Sequence, residues 1–125
     1  MLPRFAVAWG ERGDVRYQKG DWDGAIADFT RAIELDERRA YLWESRGSAR
    51  SHKQEWDAEI ADLTRAIELE ATRSVCWANR GFAHAQKGEW KAAVPDFERA
   101  LELSPDADWA PNVRRDLEEA GKHLR

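Results

Sequence analysis

Apolar and small residues recur along this chain at the spacing of an α-helix, with polar residues between them. Near the N-terminus Trp9, Gly13 and Val15 form one set, and Ala25, Phe29, Ala32 and Leu35 form another. Two separate sets predict two helices, not one long one. The break falls at Lys19-Gly20-Asp21-Trp22, and the same chemistry returns at Lys87-Gly88-Glu89-Trp90. Glycine there accepts the left-handed conformation that ends a helix, and the acid favours the start of the next. The tail predicts a further helix. Trp109, Val113, Leu117 and Ala120 share one face, and Arg114, Arg115, Glu118, Glu119 and Lys122 lie on the other.

The pattern repeats. Trp9, Trp43 and Trp77 are 34 residues apart, and so are Gly13, Gly47 and Gly81. The register also holds Trp22, Trp56 and Trp90, then Asp28, Asp62 and Asp96, then Arg31, Arg65 and Arg99. Ala32, Ala66 and Ala100 follow it, as do Glu34, Glu68 and Glu102, and Leu35, Leu69 and Leu103. Three copies cover residues 6–39, 40–73 and 74–107, with a short lead before them and a closing helix at about 108–121. A helical hairpin cannot bury its apolar stripe alone, so the copies are expected to stack into one array over residues 1–125. Within a copy, the small Gly13 is expected opposite Ala32, letting the two helix axes approach.

Two features vary the theme. Arg12, Arg46 and Arg80 each precede the glycine, and an aspartate follows 16 residues later in every copy. This predicts a partly shielded ladder of arginine–aspartate pairs that sets register more than stability. The middle copy departs from its siblings, with Gln54 for Gly20 and Gly88, Glu59 for Ala25 and Ala93, and Leu63 for Phe29 and Phe97. A carboxylate at a close-packed alanine position needs a cation or solvent. Arg46, Arg50 and Lys53 are the candidates. Pro95, inside a helical stretch, removes one hydrogen bond and predicts a slight kink.

Composition narrows the function. The 125 residues carry 20 lysines and arginines against 24 aspartates and glutamates, a net charge of −4. Phosphate neutralisation needs the opposite balance, which argues against nucleic acid as partner. Met1 to Gly10 lacks the apolar core of a secretory signal, and no stretch has the roughly 18 apolar residues of a spanning helix. A cytoplasmic protein with no membrane partner is expected. Cys76 is the only cysteine, and His52, His84 and His123 fall on different helices. Neither a metal site nor an activated nucleophile is expected, and phosphate-binding glycine loops are absent from the sequence. The reading is no enzyme and no cofactor, with Cys76 a small buried hydrophobe facing the preceding copy.

These residues carry a family resemblance. Trp9, Gly13, Tyr17 (one place off), Ala25, Phe29 and Ala32 resemble the tetratricopeptide repeat. The second copy adds Trp43, Gly47 and Ala66, and the third Trp77, Gly81, Ala93, Phe97, Ala100 and Pro105. The resemblance implies an all-α fold, a right-handed superhelical α-solenoid of three hairpins plus a capping helix. It also implies that the inner face binds extended peptides or partner helices. Chaperone-binding members hold a C-terminal carboxylate with lysines, an arginine and asparagines. Here only Asn79 matches, while Gly10, Asp14, Glu44 and Val75 do not.

With Trp9 and Gly13 facing inward, the helical stripe opposite them lines the groove. It comprises Val7, Gly10, Glu11, Asp14 and Tyr17, then Tyr41, Glu44, Ser45, Ser48 and Ser51, then Val75, Ala78, Asn79, Phe82 and Ala85. The leading reading is a monomeric interaction scaffold whose protein or peptide partner carries apolar and basic residues. A structural or self-associating array, as part of a larger protein, is the alternative, and an RNA-binding helical-repeat protein is disfavoured by charge.

Overall fold

The computed structural model describes residues 3–125. Its helices are α1 (Pro3–Gln18), α2 (Trp22–Leu35), α3 (Ala40–His52), α4 (Trp56–Leu69), α5 (Ser74–Gln86), α6 (Trp90–Leu103) and α7 (Ala110–His123). The expected lead is helical from Pro3, extending α1, and the closing helix starts two residues later than expected, after Trp109. Each odd helix pairs with the next even one, and successive hairpins stack α2 on α3 and α4 on α5, with α6 against α7. Alternation of intra-hairpin and inter-hairpin contacts is what a linear repeat array requires.

The turns inside the hairpins share one conformation. Gly20 and Gly88 have φ of 79° and 75°, and Gln54 is held at 59° in the same place. The middle turn is therefore left-handed despite lacking glycine. Asp21 caps α2 by accepting from the Gly24 amide at 2.9 Å, whereas Glu55 and Glu89 make no such side-chain bond.

The close approach within a hairpin differs from expectation. Gly13 lies under the ring of Phe29, where a Cβ would come within 2.7 Å, and Gly81 lies under Phe97 at 2.8 Å. The aromatic residue, not Ala32, dictates the glycine. Beside Gly47 the smaller Leu63 leaves 3.4 Å, so a Cβ there would meet it at ordinary contact distance. Phe29, Leu63 and Phe97 centre successive core clusters. The first draws in Leu42 and Ala49 from α3, and the second Cys76 from α5. Val113 of α7 completes the third cluster, where Trp109 and Leu117 also pack. Ala120 is buried on the same helix, as the amphipathic tail predicted, and so is Ala110. Pro95 lies within α6, which stays one helix from Trp90 to Leu103.

The arginine ladder is present and complete. Arg12, Arg46 and Arg80 each grip both carboxylate oxygens of Asp28, Asp62 and Asp96, at 2.7–3.0 Å. The aspartates are buried and the geometry is bidentate, which fixes the angle between paired helices. Arg46 also donates to the Thr30 hydroxyl of the previous hairpin at 3.1 Å, and Arg80 to Thr64 at 3.2 Å. The side chain of Arg12, on the first helix α1, is 53% exposed against 13% and 18% for the other two. These arginines lie over the rings of Trp9, Trp43 and Trp77, which are partly buried. Trp43 and Trp77 donate their ring N–H to the loop carbonyls of Glu37 and Ala71.

Candidate functional site

The predicted lining runs along α1, α3 and α5, and the structure sorts its members. Val7, Tyr41 and Phe82 are exposed apolar or aromatic side chains, and Glu11 is exposed. Asp14, Tyr17, Ser45, Ser48, Val75 and Asn79 are partly covered. Gly10 and Ala78 are buried, correcting their place on the lining. At Gly10 a Cβ would meet Leu42 and Tyr41, so this position belongs to the joint between hairpins. Glu44 also turns to a joint. It accepts from Arg73 at 2.8 Å and from the Cys76 thiol at 3.2 Å. Burial, together with Glu44, pushes the Cys76 thiol up to about 12, so it is an inert core residue at neutral pH.

Several lining side chains are already engaged with one another. The Tyr41 hydroxyl donates to Asp14 at 2.5 Å across the first joint. Burial and that hydrogen bond raise the Tyr41 pKa. The Tyr17 hydroxyl meets His52 Nε2 at 3.0 Å, and the His52 ring stacks on Trp22 with centroids 3.9 Å apart. Phe82 stands edge-on to Trp56 at 6.0 Å. Neither His52 nor Trp22 was expected at the lining. His52 sits four residues after Ser48, one turn along the same stripe, and that spacing is the signal that could have found it.

Hollows open along this face. One of about 200 Å³ is lined by Asp14, Tyr17, Gln18, Phe29, Glu44, Ser45 and Ser48. Another of about 170 Å³ is lined by Tyr17, Ser48, Ser51, His52, Glu59, Asn79 and Phe82. Glu59 in the second departs most from expectation. It is 2% exposed, and its Oε1 has no hydrogen-bond partner. None of the expected cations reaches it: Arg46 and Arg50 both bind Asp62, and Lys53 binds Asp23 and Glu55. Burial pushes the Glu59 carboxyl up to about 8.

Among the described residues no group of histidine, cysteine and carboxylate side chains could hold a metal ion. Among the same residues no helix is long and apolar enough to cross a membrane.

Comparison with known proteins agrees with this geometry. A family model described as tetratricopeptide repeat matches residues 74–107, and one described as TPR repeat matches residues 13–54. The search of curated proteins found no match. Among solved structures, the second TPR domain of human RPAP3, in complex with an HSP70 peptide, is 30% identical. The match covers 96% of this chain and 98% of that one, with a TM-score of 0.87. The first TPR of Spaghetti (RPAP3), bound to an HSP90 peptide, is 25% identical over 99% of this chain and 96% of its own, with a TM-score of 0.91. The Arabidopsis OM64 TPR domain has the same fold at 24% identity, covering 94% of this chain and 97% of that one, with a TM-score of 0.89. With three hairpins in one register, a closing helix and these matches, the chain belongs to the tetratricopeptide repeat family and is an all-α, right-handed superhelical solenoid.

Proposed function

We infer that this chain is a non-catalytic, cytoplasmic interaction module that binds an extended peptide or a helix along the face of α1, α3 and α5. The observation that carries the reading is a row of exposed Val7, Tyr41 and Phe82 beside the acids Glu11 and Asp14, on a face whose lining stripe holds no lysine or arginine. Aromatic side chains are the usual anchors of such sites, and an acidic rim favours basic residues in the partner. The RPAP3 domains hold peptides ending in EEVD. The acids of this lining would repel such an acidic tail, so the partner differs in charge. Ser45, Ser48, Val75 and Asn79 contribute polar and shape contacts around the anchors.

Self-association is the second reading, and one observation favours it. Val15 on the outer flank of α1 is 52% exposed, whereas its counterparts Ala49 and Ala83 are buried by the preceding hairpin. Light scattering after size exclusion separates the two readings, since a concentration-dependent oligomer supports the second. Pull-down with mass spectrometry identifies the partner, and calorimetry with folded Phe82→Ala then tests the groove. The expected loss is about 1–2 kcal/mol. Unchanged affinity would place binding on another surface.

A further inference from the structure

The middle hairpin puts a carboxyl group where its siblings have Ala25 and Ala93, both fully buried. Glu59 is nearly as buried as those alanines, yet its Oε1 has no hydrogen-bond partner. Its side chain forms part of the wall of the 170 Å³ hollow that opens between Tyr17 and Phe82 on the groove face. An unpaired buried oxygen is costly unless something completes it. No resident cation does so, because Arg46, Arg50 and Lys53 are each committed to other carboxylates.

We propose that this hollow is a specificity subsite of the groove that takes the ammonium group of a lysine side chain from the bound segment, with Glu59 as its acceptor. The inference rests on the groove reading above. Three features select lysine. One unpartnered, buried oxygen suits one N–H of an ammonium, whereas the guanidinium fork of arginine is best matched by two. Ser48 and Ser51 line the same hollow and offer hydroxyl oxygens to the remaining N–H groups. Tyr17 and Phe82 flank the entrance with aromatic surface, which packs against the methylene stem and favours a cation. Burial holds the empty site as a neutral acid at neutral pH, and a seated ammonium restores the carboxylate, releasing its proton to solvent.

The test is selection of a random-peptide display library on the wild-type chain, on Glu59→Gln and on Glu59→Ala, each checked for native circular dichroism. Wild type is expected to enrich peptides with a lysine at one fixed distance from apolar anchors. Both variants are expected to keep the apolar positions and lose the lysine. A peptide selected on wild type should bind Glu59→Gln about tenfold more weakly or worse. Its acetyl-lysine version should bind wild type and variant alike. Wild-type binders without a fixed lysine, or a lysine preference that survives Glu59→Gln, overturn the subsite and leave the groove reading standing. A Gln variant with wild-type affinity would mean that the site donates to a carbonyl instead, and it overturns the proposal equally. If the wild type selects no binder at all, the groove reading falls and the subsite with it.

Discussion

Replacing Glu59 by alanine should stabilise this protein at neutral pH and destabilise it in acid. The folded chain holds the Glu59 carboxyl at about 8 against an ordinary value of 4.5, because burial disfavours its charge. The folded state therefore binds this proton more tightly than the unfolded state. Stability from this group is complete below pH 4.5 and is lost as the pH rises through about 8. At pH 7 roughly 2.5 pH units of that window have been crossed, a loss of about 3 kcal/mol at ~1.36 kcal/mol per unit. Glu59→Ala removes this loss together with one methylene and the carboxyl group, whose packing is worth about 1 kcal/mol. The variant should be more stable than wild type by about 2 kcal/mol at pH 7 and less stable by about 1 kcal/mol at pH 4.5. Urea unfolding followed by tryptophan fluorescence across that range measures both numbers, and Glu59→Gln should likewise lack this pH dependence. A difference between wild type and Glu59→Ala that stays constant with pH, or a variant less stable at pH 7, would refute the reasoning.

Three further outcomes follow from packing, backbone and burial. Trp43→Ala should cost about 2–3 kcal/mol, below the usual loss for a fully buried tryptophan because the ring is partly exposed, and chemical denaturation showing less than about 0.5 kcal/mol would contradict its place in the core. Gln54→Gly should stabilise by about 1 kcal/mol, since φ at this turn is 59°, and an unfolding midpoint that falls would show that the Gln54 side chain makes a compensating interaction. Cys76 should resist a thiol reagent at pH 8 in the native state and react on unfolding; rapid native labelling would contradict its burial and raised pKa.

Much of this molecule was legible in its sequence because a repeat states each contact three times. The spacing of Arg12 from Asp28 recurs at Arg46 and Arg80, and a pair that recurs in register has few ways to be satisfied. The Gln54 turn is left-handed like the Gly20 and Gly88 turns it aligns with, although the residue itself argues against that conformation. What stayed hidden depends on competition in three dimensions. Arg46, Arg50 and Lys53 are all near Glu59 along the chain, yet Asp62, Asp23 and Glu55 claim them. The stacking of His52 on Trp22 returns as His123 on Trp90, but the two histidines are off the 34-residue register. The Tyr41–Asp14 bond joins the first two hairpins through residues whose register mates are Val75 and Ser48, so it has no counterpart at the next joint. Periodicity cannot announce a contact that happens once. Gly10 and Glu44 fell on the predicted stripe by helical phase, but neighbouring hairpins come close enough at that phase to bury one and engage the other.

The arginine-to-threonine bonds have a consequence for shape. Arg46 reaches Thr30 and Arg80 reaches Thr64 with lengths that agree to 0.1 Å, and Lys53 and Lys87 reach back to Asp23 and Asp57 at the same two joints. Equivalent atoms thus hold each hairpin on its predecessor through the same contacts at both joints. A joint that repeats in this way winds the array into a superhelical screw, so its curvature comes from the joint between units. A partner lying straight across one hairpin must coil with that screw to stay in contact over all three, so the pitch of the array is itself a filter on the conformation of what it holds.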